Sequence, residues 1–401
     1  MVKIRRVRAR NVGFSREPST LKRNLVTNAS IFEDFETREG GWFGPVFCTV
    51  VEVETSDGVV GIGTAGGFNG AAKSIVEEYL ADLVIGQDVE EHELLWQRMY
   101  RTTVRFGRRG PAISALSALD IAIWDAHGKA EGKSVVNLLG GRSRSSAPIY
   151  VSRLYASSDL DKLADEAKVY LSQGVTRFKQ RFGFGPKDGP SGMRKNIDLV
   201  KTVRSVIGDD AELAADAYMG WDIGYTIEIA KRLEEYRLSW IEEPLMPEQI
   251  GQYAELRRRI PWQRWSCGEH SFTKWDFEEL IRRGATDILQ PDMNRVGGLT
   301  EGRKIAALAE TAGLPMIPHS NEAHNLAIVF SQSPSVCPVV EYFPDVEPDT
   351  GNELFWKLFD GNPIASGGEL VFATNLPGMG ISINEEMLEI LLVSDGGWRG
   401  N

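Results

Sequence analysis

Seven polar residues follow short apolar segments in the second half of the chain, at intervals of 22 to 37 residues. Each ends a segment with the pattern of a β-strand, and a helical segment separates it from the next. The set comprises Lys179, Asp216, Glu242, Glu269, Asp292, His319 and Glu341. A strand and helix unit of a (β/α) barrel averages about 30 residues, and the carboxyl ends of barrel strands open into one mouth. The spacing therefore predicts that these seven side chains converge on one site.

Three of these residues, Asp216, Glu242 and Glu269, are carboxylates on successive predicted strands. Converging anions repel one another and are costly to desolvate unless a cation lies among them. A donor set made only of oxygen atoms suits Mg²⁺, which binds a few carboxylates together with water and substrate oxygens. We therefore expect these three residues to hold Mg²⁺.

Asp292 and His319 end the next two strands. A carboxylate that accepts a hydrogen bond from one imidazole nitrogen orients the ring, fixes its tautomer and raises its basicity. The pair therefore predicts a general base that works near neutral pH.

A pair of cations, Lys179 and Arg181, lies two residues apart on one predicted strand and so faces one side. We expect it to hold a substrate carboxylate or to stabilise developing negative charge. Arg181 stays protonated and is a poor base. Glu341 ends the last strand, and the sequence leaves two roles open for it. It would donate a hydrogen bond to an enolic oxygen if protonated, or it would only shape the pocket.

The elements that must position these residues are eight short strands separated by seven helical segments, beginning near residue 147. Alternating strands and helices predict an α/β fold, a modified (β/α) TIM barrel. Residues 182–194, FGFGPKDGPSGMR, predict an extended loop over the mouth. The strands are predicted in PIYVS, TRFKQRF, AELAADAY, LSWIEEP, QRWSCGEH, TDILQPD, LPMIPHS and CPVVEYF.

The N-terminal part has a different pattern. Residues 46–63 alternate apolar and polar around a Ser-Asp-Gly turn, which is typical of a β-hairpin, and residues 71–133 have helical spacing. We predict an α+β capping domain at 1–133, the barrel at 134–342, and a segment at 343–401 that packs back on the capping domain through a strand in MGISIN. Residues 13–45 lack periodicity and fit either a surface loop or a flap over the substrate.

Composition narrows the classes of protein. The 401 residues include 45 basic and 56 acidic side chains, a net charge of −11, which disfavours nucleic-acid binding. Apolar runs stay short of the roughly 18 residues that cross a membrane, and the first residues lack the apolar stretch of a signal peptide. We therefore expect a cytoplasmic protein. Cys48, Cys267 and Cys337 are far apart and predict reduced, buried thiols.

The motifs FKQR, DAY, WIEEP, CGEH, LQPD, PHSN and VVEYF, preceded by ALDIAIWDAHGKAEGKSVVNLLGG, closely resemble the mandelate-racemase-like branch of the enolase superfamily. The resemblance implies a capping domain, a modified barrel, an essential Mg²⁺, and removal of the proton α to a carboxylate through a metal-stabilised enediolate. At the matching positions it implies Asp216, Glu242 and Glu269 as metal ligands and His319 with Asp292 as the base dyad. It implies that Lys179 and Arg181 occupy a Lys-x-Lys site.

Arg181 differs from the family pattern, which has a second lysine at this position of the Lys-x-Lys motif. In racemases of this type that lysine is a base on the face of the substrate opposite the histidine. A single histidine can instead remove the C2 proton of an α-hydroxy acid and protonate the departing C3 hydroxyl, which gives a 2-keto-3-deoxy acid. The sequence therefore favours dehydration. Lys179 on the far face leaves an epimerase or an anti elimination open.

A narrower resemblance involves KQRFGFGPKDG, PHSNEAHN and EYFPDVEPDTGNELFW. These segments resemble acid-sugar dehydratases that act on aldonates, near those for L-rhamnonate and L-lyxonate. Four residues near the predicted ligands and base would contact sugar hydroxyls or only pack behind the site: His270, Asn321, Glu322 and His324. Arg38 and Trp42 would close over the substrate tail if residues 13–45 form a flap.

Two other classes of protein remain as alternatives. A racemase, epimerase or cycloisomerase would use the same metal cluster without producing a 2-keto acid, and an inactive metal-binding barrel would have no turnover. The expected partner is a small-molecule acid sugar, with no nucleic acid and no membrane. The family resemblance also implies a homo-oligomer, a dimer or an octamer.

Overall fold

The computed structural model describes residues 1–13, 25–32, 46–67, 70–344 and 353–400. The chain begins with an antiparallel sheet of β1 (Ile4–Gly13), β2 (Val46–Thr55) and β3 (Val60–Ala65). The predicted hairpin is confirmed, because β2 and β3 pair in register from Thr49 with Ala65 to Glu54 with Val60.

Helical segments follow this sheet along the chain. They are α1 (Ala71–Ile75), a π-helical turn (Val76–Leu80), α2 (Ala81–Val84), α3 (His92–Thr103), α4 (Pro111–Ala130) and α5 (Val135–Leu138). Helix α4 is buried along most of its length because it lies between the sheet and the barrel. It approaches β3 so closely that a Cβ atom at Gly61 or Gly63 would overlap α4 backbone atoms. We call β1–β3 with α1–α4 the head.

A histidine pair in the head makes stability depend on pH. The His92 ring stacks on Trp124 at 3.6 Å, and its Nε2 lies 2.9 Å from His127 Nδ1. Burial, then the nearby His127 and Arg303, lower the pKa of His92 to about 3. The unfolded chain, with a histidine pKa of about 6.5, binds the proton first. The contribution of this site to the free energy of unfolding is therefore fully present above about pH 6.5 and is lost as the pH falls toward 3.

Below about pH 6, we expect the free energy of unfolding to decrease more steeply with falling pH in the wild type than in His92→Phe. The two slopes should differ by up to about 1.4 kcal/mol per pH unit. Phenylalanine keeps a ring to stack on Trp124 and removes the titrating group. Urea unfolding at pH 4, 5, 6 and 7 measures both slopes. Equal slopes would show that His92 does not titrate on unfolding.

The second half of the chain confirms the predicted barrel class. Its parallel strands are hydrogen-bonded in the order β10-β4-β5-β6-β7-β8-β9. Their bounds are β4 (Ala147–Ser152), β5 (Arg177–Arg181), β6 (Glu212–Asp216), β7 (Ile241–Glu242), β8 (Trp265–Cys267), β9 (Ile288–Leu289) and β10 (Val340–Tyr342). The main helices are α6 (Leu160–Ser172), α7 (Gly189–Ile207), α8 (Ile223–Leu233), α9 (Ile250–Arg259), α10 (Thr273–Arg282), α11 (Met293–Val296), α12 (Gly298–Ala312) and α13 (Ala323–Ser331).

The prediction of a strand is wrong for one of the eight segments. The segment LPMIPHS joins β9 through a single bridge between Met316 and Leu289. Leu289 N donates to Pro315 O at 3.0 Å, and Ile317 N donates to Leu289 O at 2.8 Å. Pro315 and Pro318 have no N–H to extend the ladder, so this side of the barrel stays irregular.

The predicted extended loop at residues 182–194 is also wrong in its second half. The chain forms a 3₁₀ turn at Pro186–Asp188, and α7 begins at Gly189. Pro190 lies in the first turn of α7, where its missing N–H costs nothing. The Asn196 side chain bonds the backbone of residues 183 and 184 and draws this turn onto the helix.

The last described segment returns to the head. It contains α14 (Glu353–Leu358), β11 (Phe359–Asp360), β12 (Glu369–Leu370), β13 (Ser382–Ile383), α15 (Glu385–Leu391), β14 (Leu392–Ser394) and β15 (Arg399–Gly400). Both β14 and β15 pair with β1. The predicted strand in MGISIN is β13, but it pairs with β11 and not with the head sheet. The boundaries at residues 133 and 342 stay predictions.

The cysteine prediction is confirmed, since Cys48, Cys267 and Cys337 are free and buried. Burial raises the pKa of all three thiols. Within the described residues, the helices are each too short or too polar to span a membrane.

Candidate active site

The predicted residues lie at the carboxyl ends of the barrel strands or just beyond them. The parallel register pairs Arg181 of β5 with Asp216 of β6, and Asp216 with Glu242 of β7. Seven of the predicted side chains are buried: Lys179, Arg181, Asp216, Glu242, Glu269, Asp292 and Glu341. His319 lies among them with 17% of its side chain exposed, so the mouth reaches this ring.

Lys179 lies between two carboxylates inside the barrel. Its Nζ is 2.7 Å from Glu242 Oε1 and 2.6 Å from Glu341 Oε1, and none of its side chain is exposed. Burial raises the pKa of Glu341, but Lys179, His319 and Arg181 outweigh this and lower it. Glu341 is therefore ionised, which favours the pocket-shaping role over hydrogen-bond donation. An enclosed Lys179 also gives no support to a base on the far face.

Arg181 forms an ion pair with Asp216 and donates a hydrogen bond to Ser152 Oγ at 3.1 Å. Asp216 Oδ1 accepts the backbone N–H of Tyr218 at 2.7 Å. Tyr218 and the following Met219 have φ angles of 40° and 59°. Two consecutive side chains in the left-handed region are costly, and such strain concentrates at functional sites.

Glu242 lies in the most acidic part of the site. Its Oε2 accepts a hydrogen bond from Gln290 Nε2 at 2.8 Å. Burial raises the pKa of Glu242, Lys179 lowers it, and Glu341 and Glu269 raise it further. Burial is thus the main reason for the raised pKa of Glu242, and Lys179 offsets only part of it.

The predicted dyad has hydrogen-bonding geometry. His319 Nδ1 lies 2.8 Å from Asp292 Oδ2, and His319 Nε2 lies 3.3 Å from Glu269 Oε2. Burial alone would lower the pKa of His319, but Glu269, the hydrogen bond with Asp292, and Glu341 raise it to about 9. The Asn325 amide nitrogen donates to His319 O at 2.6 Å and to Asp292 Oδ1 at 3.3 Å. One side chain therefore holds both the Asp292 carboxylate and the backbone of His319.

The residues expected to contact sugar hydroxyls occupy two places. His270 Nδ1 lies 2.6 Å from Glu243 Oε2, and this acid, with Glu269, raises the pKa of His270 against the lowering effect of burial. The Tyr218 ring packs against His270 in a T-shaped arrangement with centroids 5.4 Å apart, and His270 Nδ1 lies 3.6 Å from Glu269 Oε1. His270 keeps 24% of its side chain exposed, so a substrate contact stays a prediction.

On the other side of the dyad, His324 Nε2 lies 2.7 Å from Glu322 Oε2, which also accepts from Asn294 Nδ2 at 3.0 Å. The Oδ1 atom of Asn321 accepts the backbone N–H of Phe343 at 2.9 Å. These contacts support packing around the dyad, and the sugar contacts of these residues stay predictions. Arg38, Trp42 and most of the segment 13–45 lie outside the described residues.

A divalent cation fits the donor types and the charge of this site. Five buried carboxylates (Asp216, Glu242, Glu269, Asp292 and Glu341) face three fixed cations (Lys179, Arg181 and Arg295). The raised pKa of His319 means that the ring holds a proton at neutral pH, which leaves an excess of one negative charge among these groups. In the deprotonated state that a base requires, the excess is two negative charges, which one divalent cation would balance. The oxygen donors suit Mg²⁺.

The predicted ligand set is not, however, gathered around one point. Within the described residues, two groups bring their ligand atoms within 4.8 Å of one another: Glu243, Glu269 and His270, and Asp292, Glu322 and His324. Lys179 and Arg181 hold Glu242 and Asp216 in ion pairs instead. The assignment of Asp216, Glu242 and Glu269 as ligands stays a prediction.

Sequence reasoning missed Gln290, Arg295 and Asn325, which contact Glu242, Glu269 and His319 respectively. Gln290 precedes Asp292 by two residues, so the strand period would have placed both on one side. Arg295 and Asn325 lie on helices that follow strand ends, so the pattern of polar residues at strand ends does not include them.

Comparison with known proteins agrees with this geometry. Residues 46–140 match the family described as mandelate racemase / muconate lactonizing enzyme, N-terminal domain, and residues 162–387 match the enolase C-terminal domain-like family. An L-rhamnonate dehydratase of Saccharopolyspora erythraea is 35% identical over 342 residues, which cover 84% of this chain and 83% of the relative.

Two solved structures have similar folds. L-rhamnonate dehydratase from Gibberella zeae has a TM-score of 0.86 at 30% identity, over 98% of this chain and 96% of that one. Rhamnonate dehydratase from the same organism, complexed with Mg, has a TM-score of 0.87 at 28% identity over the same shares. The chain therefore belongs to the mandelate racemase and muconate lactonizing enzyme family of the enolase superfamily.

Proposed function

We propose that this protein is a Mg²⁺-dependent sugar-acid dehydratase, a carbon–oxygen hydro-lyase that acts on an aldonate of the L-rhamnonate or L-lyxonate type. The observation that carries the proposal is the accessible His319–Asp292 dyad facing a site whose second strand presents Arg181 and an enclosed Lys179. One histidine base suits an elimination better than a two-base racemisation. The relative named L-rhamnonate dehydratase, with 35% identity, supports the same class.

In the proposed reaction, Asp292 holds Nδ1 of His319, so that Nε2 is the atom that accepts the C2 proton of the aldonate. Protonated His319 then delivers that proton to the C3 hydroxyl, which leaves as water as the C3–O bond breaks. The remaining enol takes a proton at C3, loses the proton of its C2 hydroxyl to solvent, and becomes the 2-keto-3-deoxy acid. Because one ring serves both proton transfers, the C2 hydrogen and the C3 hydroxyl leave from the same face, a syn elimination.

The surrounding residues prepare this step. Asp216, Glu242 and Glu269 would hold Mg²⁺, which when bound supplies positive charge to stabilise the negative charge that develops on the substrate carboxylate. Lys179 and Arg181 orient Glu242 and Asp216 through ion pairs. Glu341 anchors Lys179 and accepts the backbone N–H of Ser320, the residue after the base, at 2.9 Å.

The test is incubation of the purified protein with Mg²⁺ and a panel of five- and six-carbon aldonates and aldarates, with 2-keto-3-deoxy acid measured by semicarbazone absorbance. We expect product from a small stereochemical subset that includes L-rhamnonate or L-lyxonate. EDTA should remove the activity, and added Mg²⁺ should restore it. Absence of keto acid from every member would overturn the proposal.

The rival within the family is a racemase, epimerase or cycloisomerase. It would exchange or transfer the C2 hydrogen without forming a keto acid. Deuterium exchange at C2 without elimination would favour the epimerase, and the absence of both reactions would favour an inactive barrel. A homo-oligomer, dimer or octamer, and a cytoplasmic location stay predictions.

A further inference from the structure

We infer that Arg295 is a positioning residue that fixes Glu269 relative to the Asp292–His319 dyad, and that the head holds Arg295 in place through α11. The inference rests on the proposed function, because it assigns Glu269 to the metal and His319 to proton transfer. It adds a physical link between those two parts of the site.

The first step is the position of the guanidinium. Arg295 NH1 donates to the backbone carbonyl of Glu269 at 3.1 Å and lies 3.5 Å from Glu269 Oε1. Its Nε lies 3.5 Å from Asp292 Oδ2. Only 14% of the side chain is exposed. One buried cation therefore touches the predicted metal ligand and the dyad acid at once.

The second step concerns which oxygen atoms remain available. The close contact of Arg295 is with a backbone carbonyl, whereas its contacts with both carboxylates are longer than a good hydrogen bond. Asp292 Oδ2 keeps its 2.8 Å contact with His319 Nδ1. Arg295 thus orients Glu269 and Asp292 by its charge and by its hydrogen bond to the carbonyl of Glu269. The carboxylate oxygens of both acids stay available to a cation and to His319.

The third step is the attachment of α11 to the head. The carbonyl of Gly297, directly after α11, accepts Trp96 Nε1 at 2.8 Å, and the N–H of Gly297 donates to Ser117 Oγ at 2.8 Å. Asp120 Oδ2 accepts the N–H of Thr300 at 3.0 Å. Contacts from α3 and α4 therefore fix the chain just beyond Arg295.

The loop after β3 presses on the other side of α11. A Cβ atom at Gly66 would overlap the side-chain amide of Asn294, and one at Gly67 would lie 3.9 Å from Arg295 Nε. The missing side chain at Gly66 lets the head backbone approach the turn that carries Arg295, and Gly67 adopts a φ of 87° that favours glycine. A head contact on each side of α11 leaves the guanidinium little freedom to move away from Glu269 and Asp292.

The test is Arg295→Met, with Arg257→Met as the matched control. Arg257 also bridges a carboxylate and a backbone carbonyl, those of Asp287 and Gly284, but at the opposite end of the barrel. The readouts are Mn²⁺ affinity by electron paramagnetic resonance in the absence of substrate, and kcat and KM for the accepted aldonate.

For Arg295→Met we expect Mn²⁺ binding about tenfold weaker and kcat about 10- to 100-fold lower at saturating Mg²⁺, the range seen when groups that orient metal ligands are removed. KM should change less than threefold, and Arg295→Lys should recover part of kcat. Arg257→Met should match the wild type in Mn²⁺ affinity and kcat. If Arg295→Met does not fold, Arg295→Gln, which keeps a polar side chain but removes the charge and the guanidinium fork, should show the same losses.

Wild-type values of Mn²⁺ affinity and kcat for Arg295→Met, or for Arg295→Gln where that variant is used, would overturn the inference while the proposed function stands. Equal losses in the arginine variant and in Arg257→Met would also overturn it, because they would indicate a general effect on the fold. Failure of the wild type itself to bind Mn²⁺ and to form keto acid would instead reject the proposed function.

Discussion

Replacing His319 with asparagine should lower kcat for keto acid formation about a thousandfold, because the proposal gives this ring both proton transfers. Asparagine can still hydrogen-bond Asp292, so the buried carboxylate keeps a partner. Mn²⁺ affinity should change little, since the lost group is not one of the predicted ligands. Initial rates by semicarbazone absorbance, with Mn²⁺ titration of the same samples, measure both effects.

The matched control is His127→Asn, which changes a histidine of the head that bonds only His92 among the described contacts. We expect its kcat to equal that of the wild type. A His319→Asn enzyme that keeps more than a tenth of wild-type kcat would remove His319 as the base.

The second large effect should follow from Lys179→Met. This change leaves Glu242 and Glu341 buried without their shared cation, and removal of one partner of a buried ion pair costs about 3–5 kcal/mol. We expect a loss of unfolding free energy of that size in urea denaturation. Dehydratase activity should disappear as well, because Glu242 is a predicted metal ligand.

Two further variants separate the ion pair from general damage. The double variant Lys179→Met/Glu341→Gln removes one stranded charge and should recover part of the lost stability. Lys168→Met breaks an exposed pair with Asp165 and should leave stability unchanged. A Lys179→Met protein as stable as the wild type would show that the two carboxylates do not depend on Lys179.

The sequence located most of the site because strand ends carry a local signal. Apolar segments of four to six residues predict buried strands, and the polar residue that ends each one must lie at the mouth if the strands are parallel. That logic predicts that His319 meets Asp292, as the structure shows, and that Lys179 and Glu242 face the same mouth. It also located His270 and Glu322, although their contacts are with Glu243 and His324.

Features that depend on distant contacts could not be predicted in this way. Strand β13 has the expected alternation, but its partner is β11, and nothing local distinguishes that pairing from one with the head. The segment around Met316 is apolar enough for a strand, and two prolines prevent it. The ion pairs that hold Asp216 and Glu242 follow from side-chain distances that spacing alone does not give.

The positioning residues were missed for a related reason. Asn325 and Arg295 act from short helices that start just after strand ends, and their partners are 6 to 33 residues away along the chain. In such a short helix, no sequence pattern distinguishes a buried polar residue from an exposed polar residue. Only the fold shows that both are buried against the dyad.

The most direct measurement is proton NMR of the accepted aldonate incubated with the wild-type protein and Mg²⁺ in D₂O. We expect loss of the C2 proton signal, one-to-one formation of 2-keto-3-deoxy acid, and one deuterium at C3 from ketonisation of the enol. Exchange at C2 with the intact aldonate or its epimer as the only product would contradict elimination by a single base.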